Sequence, residues 1–400
     1  MLIHIAIVSD QILANLIPAL MERPDKVYLV TSAAMSAKGM DNRLKKQLAR
    51  QGIATEIRQH APDTGLEAIR EYAFGLHDDI LCAHPEATLV LNATGGTKLM
   101  ALGFVEMLRK DAARVIYTDT AHQRIEVLYD RNQDNPSPIP MQDVLDVRAY
   151  LSAQGFVHQG DQTLDKGRME RMTARKPVCK YLARHAAGLG DFIGAINALA
   201  GKALDERGEQ IVWPPQSFRE KPRGRWAEAL REITRAGLLE WDEGVEIDFR
   251  DAESTRFLQG GWLEEYAWHV VRDERVHDTR LNVRGTWEGA QQAKNEFDVL
   301  ACHRNQLLFI ECKTLKFDAG QNDNDLSYKV ESLGKDTRGL YGETWLLSAR
   351  DPSDVLRDRS RQAGFKLIGP AELPHLREWV QAWMQKSLLP PTPKDSPTKS

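Results

Sequence analysis

The run NEFDVLACHRNQLLFIECKT, residues 295–314, brings two acids and a lysine within reach of one another. Polar HRNQ separates two β-type runs, so the segment folds back on itself. With the turn centred on Arg304–Asn305, Asp298 falls opposite Glu311, whether the loop has two or four residues. Cross-strand partners on one face lie about 5 Å apart. Alternation adds Lys313 to that face and sends Phe297, Val299, Ile310 and Cys312 to the other. Facing like charges destabilise a sheet, and burying them unpaired costs far more. A divalent cation between the carboxylates resolves the conflict. Mg²⁺ or Mn²⁺ takes oxygen ligands, commonly two carboxylates with waters and a substrate phosphate. Such an ion polarises the phosphoryl group and acidifies bound water. Lys313 would orient that water or stabilise charge developing on the phosphate. The chemistry specified is metal-assisted phosphodiester hydrolysis. The plain alternative is a surface hairpin with a solvated Glu–Lys pair, but the flanks FDVL and LLFI are too apolar for it. Upstream, GGWLEEY can bring Glu264 or Glu265 to the same place; Glu264 is preferred because Trp262 and Tyr266 mark the packed side beside it.

The elements that must hold this hairpin follow from the pattern around it. GGWLEEYAWHVVRD reads as helix and TRLNVRGTWE as extended, ahead of the hairpin pair. After it come a helix at roughly 324–338, strand TWLLSA, helix 353–363, strand FKLIG and helix 372–386. Lys329 and Lys335 ride on the first of these helices, where they touch substrate phosphate or are solvated. Residues 2–130 alternate differently. IHIAIVS, VYLVTS, TLVLNA and ARVIYTD read as strands buried on both faces, with helices at about 11–21, 38–51, 64–83 and 97–110. That alternation implies a doubly wound parallel sheet, closed at an edge by RIEVLYD. RNQDNPSPIPMQD is the first linker candidate. Residues 141–255 show helical patterns around 142–153, 177–205 and 225–237, with a β segment at GLLEWDEGVEIDF that fits a connector or a winged helix. The tail SLLPPTPKDSPTKS carries almost no apolar surface and is expected to be disordered.

A second feature is NATGGTKLMALGF, which follows the strand TLVL. Gly95 and Gly96 allow close backbone approach and positive φ, and the first turn of the following helix offers unpaired N–H groups to an anion. Thr94 and Thr97 add hydroxyls, and Lys98 adds a charge. Neither GxxxxGK[ST] nor GxGxxG is present. Ligands of open parallel sheets bind beyond the C-terminal strand ends. The loop after the first strand, with Ser9, Asp10, Gln11 and Asn15, belongs to that edge, as does TSAAMSAKG with Ser32 and Ser36. Ser9 or Asp10 could equally be a simple helix cap.

Composition bounds these readings. Four hundred residues exceed one compact core, so two or three domains are expected. The chain is 42% hydrophobic and 28% charged with net charge −4, which argues against indiscriminate nucleic-acid binding but not against a local basic groove. Cys82, Cys179, Cys302 and Cys312 form no CxxC, which excludes the usual zinc modules and fits a reducing cytosol. MLIHIAIVSDQ lacks a basic leader and reads as a core strand, and no run reaches the roughly 18 apolar residues of a membrane span. A cytoplasmic protein with no membrane partner is expected. Two basic windows, KGRMERMTARKPVCKYLAR and SFREKPRGRWAEALREITR, are either nucleic-acid tracks or solvated helix faces; the second offers Arg223, Arg225 and Trp226.

Over roughly residues 260–385, the helix glutamate, Asp298, the ECK triplet at 311–313 and the α-β order resemble the PD-(D/E)xK nuclease superfamily. Phe297 stands where that pattern has proline. SDQ after strand one and NATGGTK after a later strand resemble the CRISPR-associated Rossmann-fold (CARF) sensor domains. Together they resemble the CARF-domain nucleases that act as ancillary effectors of type III CRISPR defence. The resemblance implies a CARF domain at 1–135, a mainly helical or winged-helix-like connector at 136–255, a restriction-endonuclease-like domain at 256–386 and a tail at 387–400. It implies a homodimer whose shared pocket binds a cyclic oligoadenylate, typically the tetra-adenylate, and so activates cleavage of DNA and RNA. Thr94, Gly95, Gly96, Thr97 and Lys98 would contact ligand phosphates, Ser9 and Gln11 would line the pocket, and Asp10, Ser36 and Asn92 would complete it. Asp298, Glu311 and the backbone carbonyl of Cys312 would hold the metal, with Glu264 and Lys313 completing the catalytic set. The competing class is a ligand-sensing transcriptional regulator that binds DNA through the middle region and cuts nothing. A third reading, in which the N-terminal domain cleaves its own ligand, finds no obvious base there.

Overall fold

The computed structural model describes residues 1–213, 215–289, 294–314 and 342–386. Two compact units divide them, one built mainly of Met1–Val157, the other of His158–Cys302 with Gln306–Met384.

In the first unit, Val/Ile/Leu-rich runs become β1 (Leu2–Ile7), β2 (Lys26–Val30), β4 (Thr88–Asn92) and β5 (Arg114–Asp119). With β3 (Ala54–Arg58), β6 (Arg124–Asp130) and β7 (Ile139–Pro140) they form one sheet ordered β3-β2-β1-β4-β5-β6-β7. The first five strands are parallel, and β6 and β7 run antiparallel. The expected parallel sheet is therefore present, with two additions. β3 carries no apolar run because it is an edge strand; its Glu56 pairs with Lys26 at 2.7 Å instead. β7 comes from the stretch that reads as linker. Between the strands lie α1 (Leu13–Glu22), α2 (Ala33–Ala37), α3 (Met40–Arg50), α4 (Leu66–Ala83) and α5 (Lys98–Leu108), with α6 (Val147–Ala153) after the sheet. Ile69, Ala73 and Ile80 of α4 and Met100 and Phe104 of α5 pack with Ile3, Ile5, Leu89 and Leu91.

The division falls within edge strand β8 (Phe156–Gly160), and the 38-residue α7 (Lys166–Ala203) follows in the second unit. The sequence pattern places this helical stretch only around 177–205. Instead α7 is capped by Asp165 and runs through the exposed Pro177. Burial of Met172 and Arg175 upstream explains how the helix survives the missing N–H. β9 (Gln216–Ser217), α8 (Arg225–Arg235), β10 (Leu239–Glu240) and β11 (Glu246–Phe249) follow, and their strands form a small sheet ordered β10-β11-β9. α9 (Ala252–Arg256) passes through a kinked π-type turn, Phe257–Gly261, in which Gly260 leaves helical geometry, into α10 (Trp262–Asp273). The main sheet adds β12 (Asp278–Trp287), β13 (Lys294–His303), β14 (Gln306–Lys313), β15 (Glu343–Ser348) and β16 (Lys366–Ile368), in the order β16-β15-β14-β13-β12-β8. α11 (Asp354–Ala363) and α12 (Leu376–Lys386) complete it. Leu182, Leu189 and Phe192 of α7, Trp262 and Trp268 of α10, and Val299, Leu308 and Ile310 of the hairpin share one core. The middle helices thus belong to the same unit as the C-terminal sheet. The helix expected near 324–338, with Lys329 and Lys335, and the tail from 387 lie outside the described residues. Among those described, no helix is long and apolar enough to cross a membrane.

Because Pro177 sits exposed inside a continuous helix, Pro177→Ala should stabilise the protein. The expected gain in chemical denaturation is about 1–3 kcal/mol; a loss would contradict an unbroken α7.

Candidate active site

Arg304 and Asn305 have φ of 50° and 56°. Two successive left-handed residues make the tight hairpin turn that the pairing of Asp298 with Glu311 requires. Asp298 is 9% exposed and Glu311 fully buried. The Cys312 backbone N–H donates to Asp298 Oδ2 at 2.7 Å, and Lys313 Nζ donates to Glu311 Oε1 at 2.8 Å. α10 supplies the third carboxylate. Glu264 Oε2 accepts from Asn282 Nδ2 of β12 at 3.0 Å.

Successive helical residues point about 100° apart, so Glu264 and Glu265 cannot share a direction. Glu265 turns to α7, where Arg175 holds both its oxygens at 2.6 and 3.2 Å and also reaches Glu253 at 2.9 Å. The structure therefore brings Glu264, not Glu265, to Asp298, Glu311 and Lys313. Asn197 of α7 donates to Gln259 O in the π-turn and to Thr314 Oγ1 at 2.9 Å, tying the start of α10 to the end of β14.

Burial pushes the Asp298 carboxyl well above the usual carboxylate range, and the charges of Glu311 and Glu264 push it further. Burial likewise raises Glu264, with Glu296 and Glu311 adding to it. Lys313 goes the other way. Burial works against its charge, but Glu311 and Asp298 outweigh that and hold it protonated.

The cluster opens on a cleft of about 750 Å³ lined by Glu264, Asn282 and Lys313 and by arginines from α7, α9 and the connecting loops. Arg168 and Arg207 have no carboxylate partner among the described residues, and burial pushes the Arg168 guanidinium below its usual value. Arg168 and Arg175 come from the first basic window. The second behaves otherwise: half-buried Trp226 packs edge-on against the core residue Phe192, centroids 5.6 Å apart, which ties up its ring. The arginine wall suits a polyanion.

Among the described residues no group of three or more His, Cys, Asp or Glu side chains could hold a metal unaided. What the hairpin offers is two carboxylates, Asp298 and Glu311, with the Cys312 carbonyl beside them. That donor set fits an ion such as Mg²⁺, which keeps several waters and takes few protein ligands.

In the first unit, β1 lies between β2 and β4, and the strand order reverses there. Such a switch point opens a crevice at the C-terminal strand ends. The loops flanking it are those of Ser9–Gln11 and Ala93–Thr97. They touch: a Cβ on Gly95 would lie 1.9 Å from Ile7 O, so only glycine fits. Gly96 has φ 73°. Thr97 caps α5, accepting from Met100 N at 3.2 Å and donating to Asp63 O at 3.1 Å. Thr94 donates to Asn92 Oδ1 at 2.5 Å and accepts from Thr118 N at 2.7 Å.

Asn92 needs correction as a ligand contact. It is 1% exposed, and its amide is used up by Ala14 O, Asn15 Oδ1 and Thr94, so it props the loop from beneath. Asp10 pairs with Lys38 at 2.9 Å, a partner the sequence did not suggest. Ser36 is half-buried within α2. Ser9 Oγ accepts from Gln11 N at 3.3 Å. Lys98 is exposed and has no partner among the described residues. Sequence reasoning also missed Asn282 and the Arg175–Glu265–Glu253 set; a polar residue in a strand and a charged helix face gave no local signal.

A sheet with a switch-point crevice and a separate acidic hairpin centre define a CARF-type sensor joined to a nuclease. A family model described as the Card1 CARF domain matches residues 3–150, and one described as the Card1-like endonuclease domain matches residues 251–387. The chain belongs to this Card1-like family of CARF-domain endonucleases. The crystal structure of protein VC1899 from Vibrio cholerae is similar at 23% identity and TM-score 0.83, covering 96% of this chain and 98% of that one. Can2 from Sulfobacillus thermosulfidooxidans, in complex with cyclic tetra-adenylate, is similar at 23% identity and TM-score 0.72, covering 95% and 99%. A type III CRISPR defence DNA nuclease activated by cyclic oligoadenylate shares 17% identity at TM-score 0.52, with 88% of this chain spanning 46% of that one. At these identities the likeness is one of fold. No curated protein sequence matches.

Two outcomes follow from the electrostatics. Arg175→Ala leaves Glu265 buried and unpaired and should cost about 3–5 kcal/mol in denaturant titration. Asp298 and Glu264 have raised values in the fold, so their contribution to stability is full below the ordinary carboxylate range. It is lost as pH rises through those raised values. Metal-free Asp298→Asn should therefore melt above wild type at neutral pH, with the difference shrinking in mild acid. An unchanged difference across pH would contradict the raised values.

Proposed function

We propose that this protein is a cyclic-oligoadenylate-activated, metal-dependent nuclease that cleaves DNA and RNA in type III CRISPR antiviral defence. The observation that carries the reading is one chain holding both an Asp298–Glu311–Lys313–Glu264 cluster on an arginine-walled cleft and a glycine-built loop pair at a sheet switch point. The Can2 complex with cyclic tetra-adenylate and the DNA nuclease activated by cyclic oligoadenylate support it. Residues 1–135 would sense, 136–255 connect and 256–386 cut, in a cytoplasmic homodimer.

Asp298, Glu311 and the Cys312 carbonyl would hold Mg²⁺ or Mn²⁺. When bound, the ion supplies a polarised phosphoryl group and an acidified water. Lys313, held protonated, serves as a cation that orients water or stabilises phosphate charge, not as a base. Glu264 adds a third carboxylate on the helix side, and Arg168 and Arg207 guide the substrate backbone. In the sensor, Gly95 and Gly96 let phosphate approach the first turn of α5, Lys98 supplies charge, and Ser9 and Gln11 line the wall. Leu99 and Leu102 are 43% and 62% exposed on one face of α5, and Phe74 of the neighbouring α4 is 59% exposed. A second copy of the chain would cover such a face, and a two-fold cyclic ligand would suit the resulting axis. A regulator that binds DNA through the middle region would need none of the hairpin charges.

The test incubates purified protein with labelled RNA, single-stranded DNA and supercoiled plasmid in Mn²⁺, with and without cyclic tetra-adenylate. Cleavage should depend on the activator and fall about 10²–10³-fold in Glu311→Ala and Lys313→Ala. Thr97→Ala/Lys98→Ala should lose activation. Sequence-specific DNA binding without cleavage would favour the regulator.

A further inference from the structure

The ladder between β12 and β13 runs from Asp278 opposite Cys302 to Leu281 opposite Val299, then resumes with Val283 opposite Phe297. The step it skips sets Asn282 across from Asp298. Asn282 has φ 51°, a left-handed backbone inside a ten-residue strand. The register is the same on both sides, so no residue is inserted and this is not a bulge. Leu281 and Val283 remain fully buried, and packing therefore gains nothing from the distortion.

What the distortion serves is the side chain. Asn282 is 9% exposed, and its amide donates to Glu264 Oε2 at 3.0 Å. It is the only hydrogen-bond donor to Glu264 among the described residues. Asparagine tolerates positive φ better than most residues and also carries an uncharged donor. A left-handed non-glycine residue held at a cluster of functional groups is strain retained for a purpose.

We infer that Asn282 is a positioning residue of the active centre, whose strained backbone aims its amide at Glu264 and fixes that carboxylate toward Asp298 and Glu311. The consequence for cleavage rests on the nuclease reading; the coupling between Asn282 and Glu264 does not.

Double-mutant cycles on the full chain test both halves. Glycine accepts the left-handed backbone, so Asn282→Gly should fold. In a Glu264→Ala background it relieves strain and forfeits no bond, so it should raise Tm; in wild type the gain should be smaller or reversed. Equal Tm changes in both backgrounds would overturn the inference. In cleavage assays Asn282→Gly should lower kcat about 10–100-fold with KM unchanged, and add no further loss to Glu264→Ala. An unchanged kcat, or losses that multiply, would also overturn it. Should wild type cleave nothing, the nuclease reading fails while the Tm cycle still decides the positioning.

Discussion

Three carboxylates and one ammonium share a buried pocket in the second unit, and much of the surrounding structure exists to keep them there. Asp298 and Glu264 are both driven toward protonation by burial and by the charge of Glu311. Lys313 offsets part of that repulsion through its 2.8 Å contact with Glu311, and the amides of Asn282 and Cys312 offset more by donating to Glu264 and Asp298. Left to relax, such a cluster would open to water, because unpaired buried charge is costly. It is held shut by the apolar hairpin beneath and by helix α10 beside it.

Helix α10 is fixed from behind. Arg175 grips Glu265 and Glu253 together, setting the rotation of α10 so that Glu264 faces forward. Asn197 ties the π-turn to Thr314, one residue beyond Lys313. The chain leaves helical geometry at Gly260 inside that turn, so the tie fixes the kink between α9 and α10. Long helix α7 carries both Arg175 and Asn197, and it also lends Arg168 to the cleft wall. One element thus both supports the carboxylates and lines the cleft they open on.

The first unit follows a different rule, that of the switch point. Its two central loops can meet only because Gly95 lets its backbone press against Ile7 O. Asn92 and Thr94 then lock the loop from below, leaving Lys98 and the start of α5 as the free surface. Polar residues in such a loop divide into those that build it and those that could bind.

Legible in the sequence were the strands buried on both faces, the parallel character of the first sheet and the hairpin that sets Asp298 opposite Glu311. Those follow from local periodicity and from the polar break HRNQ, which gives one register whether the loop has two or four residues. The sequence also carried the motifs of the sensor loop and the family they belong to. The choice between Glu264 and Glu265 was settled by packing, because it depends on Arg175, ninety residues away. The tertiary structure alone turned Asn92 into scaffold, packed Trp226 against the core, extended α7 through Pro177 and revealed left-handed Asn282. Each of these is set by long-range partners that outweigh local preference, and no window of sequence contains both halves of such a contact.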